Sequence, residues 1–187
     1  MNGFECVVSN ELLKQRMSIQ KVNHKCKYKS GYICGDITSP ETHHKIFNEI
    51  EMWKQEHHIT QIDTLIATPP CQGMSTANCK KKDNEQVRNS LVVQAIRIIK
   101  DVYPKIFVFE NVRAFMKTTC TDITGKDMTI RDSIYKNLSD HYNIYWKVIN
   151  FKDYGVPSSR PRTIVIGVSK DLKYVTPLDL FPTRQNE

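Results

Sequence analysis

The sequence predicts an α/β fold built on a mostly parallel sheet. Three observations lead there. Apolar, strand-like runs stand at 62–67 and 106–109, each stopped by proline or a polar turn. Helical patterns with one apolar face fall between and after them, and two further strand-like runs, Tyr142 to Phe151 and Thr163 to Val168, continue the alternation. Strands separated by helices are joined by crossovers, the connection that parallel pairing requires.

The elements come in order along the chain. Phe4, Cys6, Val7 and Val8 form a short strand within Gly3 to Asn10, and Tyr32-Ile33-Cys34 form another, ended by Gly35-Asp36. Ser39 caps a helix with Pro40 in its first turn, where the missing N–H has no partner to lose. Ile46, Ile50 and Trp53 then recur at i, i+4 and i+7 on one face. Ile62 to Ala67 reads as a buried strand ended by Pro69-Pro70. Residues 71–90 are polar, contain Lys80-Lys81-Lys82 and read as a long loop. Leu91, Ala95, Ile98 and Val102 mark a second helix that ends before Pro104. Ile106-Phe107-Val108-Phe109 is a central-strand run that stops at Glu110, and its apolar character predicts a poorly solvated strand end. Residues 127–141 form a third helix, with Ile130, Ile134 and Leu138 on one face. From Lys170 the chain carries Pro177 and Pro182 without periodicity and reads as a tail or linker.

Composition narrows the function classes. A chain of 187 residues with 40% hydrophobic and 25% charged residues is ordinary globular material for one domain. No apolar run approaches the ~18 residues of a membrane span, and Met1 to Glu11 lacks a signal-peptide pattern, so an intracellular protein is expected. Lys and Arg number 27 against 20 Asp and Glu, a net +7 that suits an anionic partner, nucleic acid first. The six cysteines include no CxxC pair, which argues against a disulfide framework and against a thiol redox protein. His43-His44 and His57-His58 have no cysteine at zinc spacing and read as solvated helix residues; no metal site is expected.

In open α/β sheets, ligands bind beyond the carboxyl ends of the strands. Thr68-Pro69-Pro70-Cys71-Gln72-Gly73 follows the strand at 62–67, Glu110-Asn111-Val112 follows that at 106–109, and Ser158-Ser159-Arg160-Pro161-Arg162 precedes that at 163–168. Taken singly, Cys71 is a core thiol, Glu110 a cap for a helix after Val112, and the arginines a solvated edge. Taken together they bring a thiol, a carboxyl and two guanidiniums to one edge. A thiolate is a strong nucleophile whose pKa nearby arginine lowers. A carboxyl can protonate a ring nitrogen, and arginines can hold a carbonyl or phosphate by paired donors.

Pro69-Pro70-Cys71-Gln72-Gly73-Met74-Ser75, then Glu110-Asn111-Val112, then Tyr154-Gly155-Val156-Pro157 with Arg160 and Arg162, resemble in residues and order the motifs of DNA (cytosine-5)-methyltransferases. The resemblance runs from about Gly3 to Gly167. It implies a Rossmann-like fold dependent on S-adenosylmethionine, and DNA as substrate. Cys71 would add to carbon 6 of a cytosine flipped out of the duplex. Glu110 would bond or protonate ring N3, carbon 5 would take the methyl group, and loss of the carbon 5 proton and of the thiol would close the cycle. Arg162 would hold the cytosine carbonyl, with Arg160 supporting that pocket. On the cofactor side the resemblance implies Glu11 at the ribose hydroxyls, Asp36 at the adenine amino group, Ile37 against its ring, and Pro69 and Leu91 in the same site. Gln72, Ser75, Lys80, Lys81, Lys82 and Arg88 would meet DNA from the loop 71–90.

Departures from the family pattern shape the remaining expectations. The family opens on a strand and a Phe-x-Gly-x-Gly turn, whereas this chain has seven glycines and no Gly-x-Gly. Ser158 stands where the family has glutamine, and Leu12 where an aromatic often follows the cofactor glutamate. The expected architecture is therefore an incomplete methyltransferase sheet. Its first central strand, between the strands at 4–10 and 62–67, and its C-terminal target-recognition domain would be missing. Residues 1–169 would be the partial catalytic domain and 170–187 a tail or linker toward the recognition domain. A complementing methyltransferase polypeptide is the expected partner beside DNA, in a cytoplasmic bacterial or phage restriction-modification setting. The alternative is a catalytically inactive remnant or DNA-binding assembly module.

Overall fold

The structure is a computed structural model and describes residues 3–70 and 91–184. It divides into two compact units, Met1–Ile62 and Asp63–Glu187.

In the first unit β1 (Ser9–Glu11) pairs in parallel with β2 (Tyr32–Cys34), in the register Ser9 to Tyr32, Asn10 to Ile33 and Glu11 to Cys34. The strand expected over Gly3 to Asn10 is shorter than predicted. Upstream of Ser9, among the described residues, only Cys6 bridges, to Cys26, and Phe4 lies 70% exposed. The helix α1 (Lys14–Val22) is not predicted because its sequence has no apolar stripe: Met17 is buried while Ile19 and Val22 face solvent. The helix α2 (Pro40–Glu56) starts as expected after Ser39, although the Ser39 side chain makes no capping bond, and Ile46, Ile50 and Trp53 are buried. His57 is not simply solvated: its ring stacks on Trp53 at 3.9 Å.

The second unit holds β3 (Thr64–Ala67), α3 (Leu91–Val102), β4 (Ile106–Val112), β5 (Thr119–Thr121), β6 (Asp127–Thr129), α4 (Ile130–Leu138), β7 (Tyr142–Asn150) and β8 (Pro161–Ser169). Its main sheet has the order β3-β4-β8-β7. Only β3 and β4 run parallel; β8 is antiparallel to both β4 and β7. The sheet is therefore mixed, not mostly parallel. The segment 151–160 between β7 and β8 holds a short 3-10 turn, Phe151–Tyr154, and no crossover helix, so antiparallel return is its natural outcome. Gly155 ends that turn at φ 78°, a left-handed conformation that favours glycine.

One face of this sheet carries the core. Phe107, Phe109, Val165 and Tyr142 pack there with Val92, Ile96 and Ile99 of α3 and Ile130, Ile134 and Leu138 of α4. The buried stripe of α3 thus centres on Val92, Ile96 and Ile99, beside the expected Ile98 and Val102, because the helix is apolar over a wide arc. Gly167 lies opposite Phe107 in the ladder, and a Cβ there would clash with the edge of the Phe107 ring. The predicted helix 127–141 is instead a strand followed by a helix. Asp127–Thr129 pairs with Thr119–Thr121, and the Thr129 hydroxyl then caps α4 by accepting from the Asp132 N–H at 3.1 Å. Asp122, fully buried at its side chain, ties this hairpin to α4 through Ser133, Lys136 at 2.9 Å and Asn137 at 2.7 Å.

On the other face Ile66, Val108, Ile166 and Tyr145 form a row across the strands. Ile66 is 69% exposed, so β3 is half-buried where a buried strand was expected. Among the described residues β3 has a ladder partner only in β4, and β1 only in β2. The residues after Lys170 include a short helix, Pro177–Leu180, that packs on β7 and β8, with the Phe181 ring 5.7 Å from Tyr145 and Lys147 Nζ 4.4 Å above it.

Candidate active site

In the second unit the ladder register sets the site. Antiparallel pairing places the start of β8 beside the end of β4, with Val112 opposite Arg162 and Glu110 opposite Ile164. Even-numbered residues of both strands share one face there, so Glu110 and Arg162 are diagonal neighbours on it. Arg162 Nε and Glu110 Oε1 form an ion pair at 2.9 Å, and Arg162 Nη1 donates to the Pro161 carbonyl at 2.9 Å. The rest of the guanidinium fork carries donors with no bond among the described residues.

The surroundings of Glu110 exclude the helix-cap alternative and correct its expected solvation. β4 runs on through Val112, so Glu110 lies within a strand. The next element is a 3-10 turn at Phe115–Lys117 rather than a helix for it to cap. Its side chain is 34% exposed, so the strand end is not poorly solvated. Alternation accounts for this: Phe107 and Phe109 point into the core, and Glu110 belongs to the opposite face.

Asn111 points into the core side and is 4% exposed. Its Nδ2 donates to the Pro69 carbonyl at 2.8 Å, and its Oδ1 accepts from the Val112 N–H at 2.9 Å. Thr163, opposite Asn111 and fully buried, donates its hydroxyl toward the carbonyls of Val112 at 3.0 Å and Arg113 at 3.2 Å. These bonds join the ends of β3, β4 and β8. Sequence reasoning leaves Asn111 without a role and misses Thr163. A buried amide between an acidic residue and a valine is the available signal, because a buried amide needs partners.

Arg160 is exposed just ahead of β8. Leu91 opens α3 and is half-buried. Cys71, Gln72, Ser75, Lys80, Lys81, Lys82 and Arg88 lie outside the described residues.

In the first unit, Glu11 ends β1, and Asp36 and Ile37 follow β2, so all three stand at the carboxyl ends of a parallel pair. Glu11 Oε1 accepts from the Leu13 N–H at 3.0 Å. Asn10 Nδ2 bonds the carbonyls of Ile33 at 3.1 Å and Gly35 at 3.0 Å, which fixes the turn carrying Asp36. Asp36 is exposed, and its Oδ1 accepts from the Thr38 N–H at 2.8 Å and hydroxyl at 2.9 Å, bonds that hold its carboxyl below the usual range. Each carboxylate keeps one oxygen without a bond among the described residues. No cluster of three or more His, Cys, Asp or Glu that could hold a metal ion occurs among the described residues. No described helix is long and apolar enough to cross a membrane.

The fold is that of DNA-methyltransferase-like proteins. A protein described as a DNA modification methyltransferase encoded within an E. coli prophage superposes with a TM-score of 0.68 at 23% identity, over 99% of this chain and 46% of that one. The S. pombe methyltransferase Dnmt2 superposes at 0.63 and 16% identity, over 100% and 51%. The family of C-5 cytosine-specific DNA methylases matches residues 1–187, and the chain belongs to it. Among curated relatives, the type II methyltransferase M1.HgaI of Avibacterium volantium is 33% identical over 170 residues, covering 87% of this chain and 43% of that protein. M.FnuDI of Fusobacterium nucleatum is 32% identical, covering 91% and 42%. The chain therefore spans less than half the length of these relatives.

Proposed function

We propose that this chain carries the catalytic residues of a DNA cytosine carbon-5 methyltransferase. The observation that supports this most is the Glu110–Arg162 pair at joined strand ends, with the Pro69 lead-in to Cys71 bonded to Asn111 beside it. In this reading the Cys71 thiolate adds to carbon 6 of a cytosine turned out of the duplex, which makes carbon 5 nucleophilic. Glu110 bonds ring N3 and stabilises charge as the thiolate adds. Arg162 orients Glu110 through Nε and offers its remaining donors to the cytosine carbonyl, while Arg160 supports the pocket. Departure of the carbon 5 proton lets the Cys71 thiol leave and restores the ring. Gln72, Ser75, Lys80, Lys81, Lys82 and Arg88 contact the DNA.

S-adenosylmethionine is the cofactor in this reading and supplies an electrophilic methyl carbon. The first unit suits its nucleoside half. The unoccupied oxygen of Glu11 can accept from ribose hydroxyls, that of exposed Asp36 from the adenine amino group, and Ile37 offers an apolar contact. The family resemblance also implies cofactor contacts for Pro69 and Leu91. The methionine half is less well provided for, since the sequence holds no Gly-x-Gly turn.

The enzyme works together with further polypeptide, in the same chain or a separate one, that supplies this turn and target recognition. The relatives, more than twice as long and bacterial, support a restriction-modification role in a bacterial or phage-infected cytoplasm. The test is methyl transfer to mixed-sequence duplex DNA by the 187 residues alone and by the chain co-expressed with the reading frames flanking its gene. Activity is expected in the second arm and little in the first. Robust site-specific methylation by the chain alone would overturn the need for further polypeptide. Bound DNA and cofactor without transfer in either arm would overturn the catalytic reading.

A further inference from the structure

The thiols of Cys6 and Cys26 lie 3.6 Å apart in the first unit. Nothing in the proposed methyl transfer uses them. The two residues are directly bridged partners on parallel segments, and the Lys27 N–H donates to the Cys6 carbonyl at 2.9 Å. Adjacent strands lie ~4.8 Å apart, within the ~4.4–6.8 Å between Cα atoms that a disulfide spans. The backbone on the Cys26 side is held as well. The Cys26 N–H donates to the Tyr32 hydroxyl oxygen at 2.8 Å, and Gly31 packs against the Cys26 side chain. Beyond each other, the sulfurs make long contacts to the Val8 and Gly31 carbonyls, at 3.6 and 3.5 Å, and the Ser9 backbone N–H also faces Cys26.

We infer that Cys6 and Cys26 form a reversible oxidation site, closed by hydroperoxides into a disulfide that tethers the segment carrying β1 and α1. The half-buried Cys6 is the thiol a peroxide reaches, and Cys26 is buried. Burial also pushes the Cys26 thiol up, with Cys6 beside it adding to the rise, so Cys26 is the resolving partner. The Cys6 thiolate attacks a peroxide oxygen, the O–O bond breaks, and Cys6 becomes a sulfenic acid as hydroxide leaves. The Cys26 thiol then attacks that sulfur, the S–S bond forms and water departs. In sum, two thiols are oxidised, one hydrogen peroxide is reduced and two waters form. The bridge closes the loop that contains Ser9-Asn10-Glu11, so oxidation restrains the strand that carries Glu11.

The test exposes the purified full chain to hydrogen peroxide, blocks remaining thiols with iodoacetamide and maps the unreduced digest by mass spectrometry. A Cys6–Cys26 linked peptide is expected, lighter by the two hydrogens lost and released by dithiothreitol. Cys26→Ser is expected to lose the link and to accumulate a dimedone-reactive sulfenic acid at Cys6, and Cys6→Ser to lose both. Exposed Cys34 serves as the internal control. Oxidation of Cys34 with Cys6 and Cys26 both still alkylated would overturn the inference, as would a Cys6 sulfenic acid that persists in the wild-type chain. The readout needs no methyl transfer, so its failure and that of the proposed function are separate results.

Discussion

Arg162 Nε and Glu110 Oε1 meet at 2.9 Å across the β4–β8 ladder, the arginine 15% and the glutamate 34% exposed at their side chains. The pair is preorganised by strand register rather than by a loop. In the proposed reaction it would give Glu110 a fixed direction before the base arrives, the kind of preorganisation from which electrostatic catalysis draws most of its strength.

Glu110→Gln is expected to keep the shape of this side chain and lose its negative charge and its capacity to exchange a proton with ring N3. In an active assembled enzyme it should slow single-turnover methyl transfer by roughly 10²–10⁴, the usual worth of general acid–base help. DNA and cofactor affinity should stay near wild type. Single-turnover rates normalised to folded protein check this, and an unchanged rate would remove Glu110 from the chemistry.

Asn111→Ala leaves the Pro69 carbonyl and the Val112 N–H without their bonds. The expected stability loss is about 1–3 kcal/mol by urea melts. If Asn111 positions the Pro69 lead-in, the rate per folded molecule also falls while KM for DNA holds. A purely structural residue would lower only the folded fraction.

The comparison of sequence with structure turns on which side chains periodicity can report. Ile46, Ile50 and Trp53, and later Ile130, Ile134 and Leu138, are legible because each set recurs on one helical face, and all are buried. The helix Lys14–Val22 is not, since it buries Met17 alone. Strand direction is also hidden: β8 reads like any apolar strand, and only its short connection from β7 makes it antiparallel. That direction is what brings Arg162 to Glu110. The motif residues are visible in sequence, but the Asn111–Pro69 and Thr163–Val112 bonds depend on register across three strands.

Asp122 supplies a pH dependence. Burial raises its pKa, but hydrogen bonds from Ser133, Lys136 and Asn137 outweigh burial and hold the carboxyl well below the usual range. A carboxyl with a depressed folded pKa contributes stability that is full above its unfolded value of about 3.9 and fades as pH falls below it. Asp122→Ala should cost about 2–3 kcal/mol at neutral pH, given the worth of hydrogen bonds to charged groups. The difference between wild type and variant should shrink below about pH 4. Chemical denaturation across pH 3–7 measures both, and a difference that grows on acidification would reject this role for Asp122.

Gly167→Ala drives a methyl group into the Phe107 ring at the centre of the sheet. Overpacking of a filled core costs about 1–3 kcal/mol. A lowered thermal midpoint is expected, with Phe107→Leu in the same chain restoring part of the loss. An unaltered midpoint for the single variant would mean that β4 and β8 are not packed as described.

The reaction proposed for this chain is cytosine carbon-5 methylation through a Cys71 adduct. Its most direct test is methyl transfer from S-adenosylmethionine to duplex DNA by the assembled enzyme and its Cys71→Ala variant, followed by nucleoside analysis of the digested product. The expected result is 5-methylcytosine from the wild type and none from Cys71→Ala, with both proteins binding DNA. Methyl groups on an exocyclic nitrogen, or normal turnover by Cys71→Ala, would contradict the account.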